Sequence, residues 1–254
     1  MLALAACNPD SPAAPTALPF GVVFLEARKT TSLASSPSGF VLLPSASFYS
    51  SRSTSITDSR APTDSCTIGP IPGTEPLPGP VISAGDLITI DVNGSSHQLR
   101  PVDFQDGDRA YVVRGEGIPY APGDSIRINI PGKNGGFPLA NVSARTAEGF
   151  TLGPMPIVTP GQDLPVTWSP AGNATSMMIF RLRYATEQGT VDEEINCKFK
   201  DTGSAIIRAR YLTNWSAVPA TQRAVRATRL RSASIATGPI SRIGILSTFT
   251  VPTP

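Results

Sequence analysis

The residues best placed to do chemistry in this chain are its carboxylates. Asp201-Thr202-Gly203-Ser204 sets an acid beside two hydroxyls and a glycine, ahead of the apolar run Ala205-Ile206-Ile207. Water activation at such a site takes two carboxylates sharing one proton, because like charges held that close cannot both ionise. The sequence has no second Asp-Thr-Gly or Asp-Ser-Gly, so acid–base work by Asp201 requires a second copy of the chain. Between two strands the same residues are good hairpin-turn formers, and a turn is the simpler expectation. Asp103, Asp106 and Asp108 surround Gly107 and offer hard oxygen donors of the kind that hold Ca²⁺. The rest of the calcium-loop pattern is missing, so this segment too reads as a solvated turn, as does Asp192-Glu193-Glu194. His97 is the single histidine. No nucleophile elbow, phosphate-binding glycine loop or paired metal-ligand motif accompanies it. The expectation is therefore no catalytic set, no metal and no cofactor.

Basic residues tell a different story. The net charge is only +2, but from Arg181 onward there are 11 Lys/Arg against 5 Asp/Glu. Side chains two apart on a strand share a face, so Arg181/Arg183, Arg208/Arg210 and Arg229/Arg231 each set two guanidiniums together. Aligned across neighbouring strands, they would form a ladder for carboxylates or phosphates. Acidic polysaccharide or another envelope protein is the expected kind of partner. Few aromatic residues interleave with these arginines, which argues against a stacking platform for single-stranded nucleic acid.

Two short stretches resemble motifs of known families. Asp201-Thr202-Gly203-Ser204 looks like the active-site motif of aspartic proteases, which implies a dimeric, retropepsin-like enzyme acting through Asp201. Lys200 stands where those enzymes carry an aliphatic residue, and Arg242-Ile243-Gly244 matches their later hydrophobic-Gly element poorly. Leu4-Ala5-Ala6-Cys7 resembles the lipobox of bacterial lipoproteins, whose cysteine sulfur carries the lipid. That resemblance implies lipidation at Cys7, a flexible tether over residues 1–18, and a place at the cell envelope or outer-membrane surface, facing the periplasm or the exterior. Only six residues precede Cys7, so the basic and apolar parts of a signal peptide would have to lie upstream of Met1. With Cys7 lipidated in an oxidising compartment, Cys66 and Cys197 remain to form a disulfide; the alternative is two buried free thiols.

The elements that must position these groups read as strands. Gly (22) and Pro (26) are frequent, and charged residues make up only 16%; so many prolines break long helices and favour short strands joined by turns. Strand patterns fall on 20–27, 39–43, 45–49, 86–92, 96–102, 109–114, 125–130, 141–146 and 149–153. They continue on 164–168, 177–184, 194–200, 204–209, 223–231 and 243–251. Residues 50–80 read as a long loop with Pro at 70, 72, 76, 78 and 80, and only 213–226 gives a weak helical signal. Ala84-Gly85-Asp86, Pro122-Gly123-Asp124 and Pro160-Gly161-Gln162 repeat one turn formula before a strand. Leu164–Trp168 resembles a core strand of bacterial immunoglobulin-like domains.

The fold class expected is all-β: an immunoglobulin-like β-sandwich, as one large or two closely docked units, with a break near 149–160. That break divides the chain into an N-terminal β domain (19–148) and a C-terminal sandwich (155–254). A Cys66–Cys197 bond would cross it. The function expected is that of a cell-envelope lipoprotein with a non-catalytic binding or structural role, held at the membrane by its lipid. The alternatives are the protease already described and a self-assembling surface fibre subunit.

Overall fold

The computed structural model describes residues 18–30, 38–50, 62–70, 79–104, 108–172, 175–238 and 241–252. The chain is all-β and sandwich-like, with one α-helix among the described residues. Its first strands are β1 (Phe20–Lys29), β2 (Phe40–Tyr49), β3 (Ser65–Pro70), β4 (Ile88–Val92), β5 (Ser95–Asp103) and β6 (Arg109–Val113). Next come β7 (Ile118–Pro119), β8 (Ser125–Ile130), β9 (Ala140–Arg145), β10 (Leu164–Thr167) and β11 (Ser176–Thr186). Then follow β12 (Gly189–Thr190), β13 (Glu193–Lys200), β14 (Ser204–Ile207) and α1 (Ala209–Ala217). A 3₁₀ turn at Ala220–Gln222 leads into β15 (Arg223–Ala236) and β16 (Arg242–Pro252).

One large sheet runs in the order β3-β13-β11-β15-β16-β1-β2-β6-β5-β4-β8-β9, with β12 beside β11 and β7 beside β2. All its pairings are antiparallel except β1–β16, which sets Phe20 opposite Arg242 in parallel register. That single parallel pair joins the strands nearest the two ends of the chain at the middle of the sheet. The far end then returns on the middle: Ala147 N–H donates to Ser247 Oγ (2.7 Å), and the Phe150 and Phe249 rings meet at 5.8 Å. A two-stranded sheet, β10–β14, forms the small second layer.

Alternation decides which side of each strand is buried. Along β8 it is Ile126, Ile128 and Ile130, and along β4 it is Ile88, Ile90 and Val92. One apolar cluster carries these residues, Phe48, Tyr111 and Phe137 in the rolled half, and Trp168, Phe180 and Phe199 in the other. Phe48 packs tilted against Phe137 (4.7 Å) and edge-on to Tyr111 (5.7 Å). A Cβ on Gly21 would lie 2.8 Å from the Phe48 ring, so the bare backbone of β1 is what lets that ring in. Tyr111 satisfies its buried hydroxyl by donating to Gly85 O (2.7 Å) and accepting from Ala84 N–H (2.9 Å).

Several elements depart from the sequence pattern. Pro44 does not split β2: it lies between the stretch paired with β7 (Val41, Leu42) and the stretch paired with β6 (Ser45, Ala46). The ladder is interrupted there, so a residue without an N–H is tolerated. Within 50–80, Ser65–Pro70 is an edge strand on β13, a position that accepts its closing proline. Residues 149–153 keep only one bridge, Leu152 to Trp168. The turn formula recurs as expected: Asp124 Oδ2 accepts Ala121 N–H (2.7 Å) and Gln162 Oε1 accepts Thr159 N–H (3.0 Å), each three residues back.

Candidate functional site

Asp201 sits in the turn between β13 and β14, where Gly203 adopts φ +98°. The side chains of Asp201 and Arg229 are each 1% exposed. Arg229 reaches Asp201 in a bidentate pair, Nε to Oδ2 at 2.6 Å and Nη2 to Oδ1 at 3.1 Å. Its remaining N–H groups go to the carbonyls of Ser169 (2.5 Å), Gly149 (2.8 Å) and Glu148 (3.4 Å). All five guanidinium donors are thereby used. The guanidinium also lies 5.1 Å from the centre of the Phe150 ring. Asp201 Oδ1 takes the Trp168 indole N–H (2.6 Å) and the Ala171 N–H (3.4 Å) as well. A carboxylate so enclosed fixes the 148–150 and 168–171 segments to β15. Both of its oxygens are committed to donors within the chain.

The other arginines divide between two environments. Arg181 and Arg183 lie on one face of β11, as their spacing requires, and converge on buried Glu194 of β13. Arg183 Nε donates to Glu194 Oε2 at 2.6 Å, while Arg181 Nε stands 3.8 Å from Oε1. Arg208 and Arg210, expected together on a strand, are not on one: Arg208 caps α1 and Arg210 lies in its first turn. The helix starts there because Asp163 accepts the Ala209 N–H (2.7 Å) and pairs with Arg208 (2.9 Å). These two contacts, the backbone N–H first, hold the Asp163 carboxyl below its ordinary range. Leu212, Trp215 and Ser216 then form the buried stripe of the helix. Arg210 stacks on Tyr211 at 4.8 Å. Hydrogen bonds with Ser65 and Arg210 draw the Tyr211 phenol below its usual range. Arg208, Arg210, Tyr211, Ser65 and Lys200 line a cleft of about 380 Å³ beside the disulfide.

Arg229 and Arg231 share the inner face of β15, yet only Arg229 is sealed. Arg231 opens into a groove of about 490 Å³ that Arg145 also lines. The six predicted arginines therefore occupy four separate places and form no common ladder.

Cys66 and Cys197 form a disulfide, with Cα atoms 4.0 Å apart. The register that sets Glu194 opposite Gly69, continued along β3 and β13, brings the two cysteines face to face. Cys7 and Asp106 lie outside the described residues. Asp103 is clamped by Arg109 through two hydrogen bonds (2.5 and 3.1 Å), the main cause of its lowered pKa. Sequence reasoning missed Trp168 as a partner of Asp201. An indole N–H must find an acceptor when buried, which was the available signal.

No protein family matches this chain, and no curated protein is similar to it in sequence.

Proposed function

We propose that the chain is a non-catalytic interaction module of the cell envelope, exported and tethered by lipid at Cys7. The observation that carries the non-catalytic role is the enclosure of Asp201. The carboxylate on which a protease would depend accepts hydrogen bonds from Arg229, Trp168 and Ala171, and a catalytic aspartate needs an oxygen open to water and to a second carboxylate. The export half rests on the disulfide, since such bonds persist in oxidising compartments, and on the lipobox-like Leu4-Ala5-Ala6-Cys7. Among the described residues no helix is long and apolar enough to cross a membrane.

Expression in a bacterium with its native upstream sequence, followed by mass spectrometry, tests the tether: a diacylglyceryl adduct on Cys7 is expected, and an unmodified thiol would remove it. Protease assays of the wild type and of Asp201→Asn test the rest. No turnover is expected from either form; turnover by the wild type that Asp201→Asn abolishes would establish the enzyme instead.

A further inference from the structure

The cleft beside the disulfide gathers cations and hydroxyls along one stretch of chain. Every second residue from Lys200 to Arg210 lines it, and each of these residues is exposed. On β14 alternation explains this: Ser204 and Ile206 turn outward while Ile207 is buried. Arg208, still extended, keeps the outward register before α1 begins. Lys200 and Thr202 precede them at the end of β13 and in the turn. Ser65 of β3 and Tyr211 of α1 complete the lining on which the charge balance depends.

Among the described residues that line the cleft, Lys200, Arg208 and Arg210 are cations and Asp64 is the one acid. Asp64 Oδ1 accepts the Lys200 backbone N–H (3.1 Å), and its Oδ2 stands 3.8 Å from Lys200 Nζ. Arg208 is held by Asp163 through Nη1 alone. Arg210 has no carboxylate partner among the described residues. An uncharged group fixes it instead: Nη2 donates to Tyr211 Oη at 3.0 Å while the guanidinium stacks on the same ring. A guanidinium held in place without a counter-charge has little freedom left to lose when an anion arrives. The donors also suit one kind of anion. A planar carboxylate offers two oxygens to one fork, whereas a phosphate monoester carries about −1.5 to −2 charge and three acceptor oxygens. Donors standing on a strand, a turn and a helix match the second. The cleft volume of about 380 Å³ lies in the range of small-molecule sites, and Ile206, 47% exposed, offers an apolar contact to whatever carries the phosphate.

We infer that this cleft binds a phosphate monoester on a small organic body, the phosphate meeting Arg210, Lys200 and the hydroxyls of Thr202 and Ser204 while the body rests on Ile206. Charge-assisted bonds to a fixed guanidinium supply most of the affinity. A soluble sugar phosphate and a lipid headgroup share this chemistry. The inference names a ligand class for the interaction role proposed above and rests on that reading, but it does not depend on the tether at Cys7.

The test is titration calorimetry of the intact, disulfide-bonded protein with glucose 6-phosphate, beside cosedimentation with phosphatidylcholine vesicles that contain or lack phosphatidate. Wild type, Arg210→Gln and Arg231→Gln are compared, with thermal unfolding to verify that both variants are folded. The wild type should bind a phosphate probe at one saturable site, and Arg210→Gln should weaken that binding about ten-fold or more. Arg231→Gln, outside the cleft, should leave it unchanged. Glucose should not bind, and glucuronate should bind about ten-fold more weakly than glucose 6-phosphate. Binding of glucose 6-phosphate without the vesicles assigns a soluble phosphate. Cosedimentation that needs phosphatidate and is lost in Arg210→Gln, without binding of glucose 6-phosphate, assigns a lipid headgroup. Failure of both phosphate probes, affinity unchanged in Arg210→Gln, or an equal loss in Arg231→Gln overturns the site. Glucuronate bound as tightly as glucose 6-phosphate overturns the choice of phosphate. None of these outcomes touches the protease and lipid assays, so failure of the cleft and failure of the broader role are distinguishable.

Discussion

Arg229 and Arg231 stand two residues apart on the same face of β15, and their surroundings could hardly differ more. Arg229 is closed over by the Asp201 turn on one side and by the carbonyls of residues 148, 149 and 169 on the other. Arg231 lies where β11 begins and β9 ends, and no acidic side chain pairs with it among the described residues. Spacing sets the side of the strand from which a charge projects. Whether that charge holds the fold together or waits for a partner depends on which distant segments arrive to cover it.

The contrast predicts unequal costs. Arg229→Ala leaves Asp201 buried without its counter-charge, so urea unfolding should show a loss of about 3–5 kcal/mol. Arg231→Ala, at the open site, should stay within about 0.5 kcal/mol of wild type. Equal losses would mean that the two sites are not distinct. Replacing both partners of the hub, Arg229→Met with Asp201→Leu, should recover much of the loss, since a buried pair is costly to break but not to exchange for apolar groups.

Next in size is the disulfide. Cys66 and Cys197 are 131 residues apart in sequence, and removing such a cross-link costs about 2–5 kcal/mol. Urea unfolding of Cys66→Ala with Cys197→Ala should show that loss. The bond fixes edge strand β3 to β13, four residues before Asp201, so the loss should be accompanied by faster proteolysis near Ser65–Pro70. Protection there unchanged by the mutation would separate the disulfide from the order of the edge.

A smaller effect belongs to Tyr120, whose phenol is buried with no hydrogen-bond partner among the described residues. Burial, with the charge of Asp124 second, raises its pKa. The folded state therefore keeps the proton longer than the unfolded chain does. Stability linked to this group is intact below the unfolded phenol's pKa near ~10 and declines as pH rises beyond it. Tyr120→Phe should gain about 1 kcal/mol at neutral pH, because an unpaired buried hydroxyl is removed, and should flatten the alkaline decline in a melt series from pH 8 to 11. A loss of stability would show that the hydroxyl has a partner.

Much of this was legible in the sequence for physical reasons. Alternation along 88–92 and 125–130 marked strands buried on one face, and the turn formula before β8 and β10 named its own hydrogen bonds. Cys66 and Cys197 were paired by elimination. Three features were not legible. Ser65–Pro70 has no apolar alternation, since an edge strand buries little beyond Cys66. Arg208–Arg210 left strand for helix because Asp163, 46 residues before Ala209, caps the first turn. Asp201 was legible as a turn residue, but its partner lies 28 residues away on another strand, a separation that no local pattern encodes.

The central claim is that Asp201 is a structural anchor held by Arg229. The most direct measurement is a double-mutant cycle in urea with Asp201→Asn, Arg229→Gln and the combination. A coupling of about 2–3 kcal/mol is expected for side chains in one buried hydrogen-bonded pair. Additive losses, agreeing within about 0.5 kcal/mol, would contradict the account and free Asp201 for other chemistry.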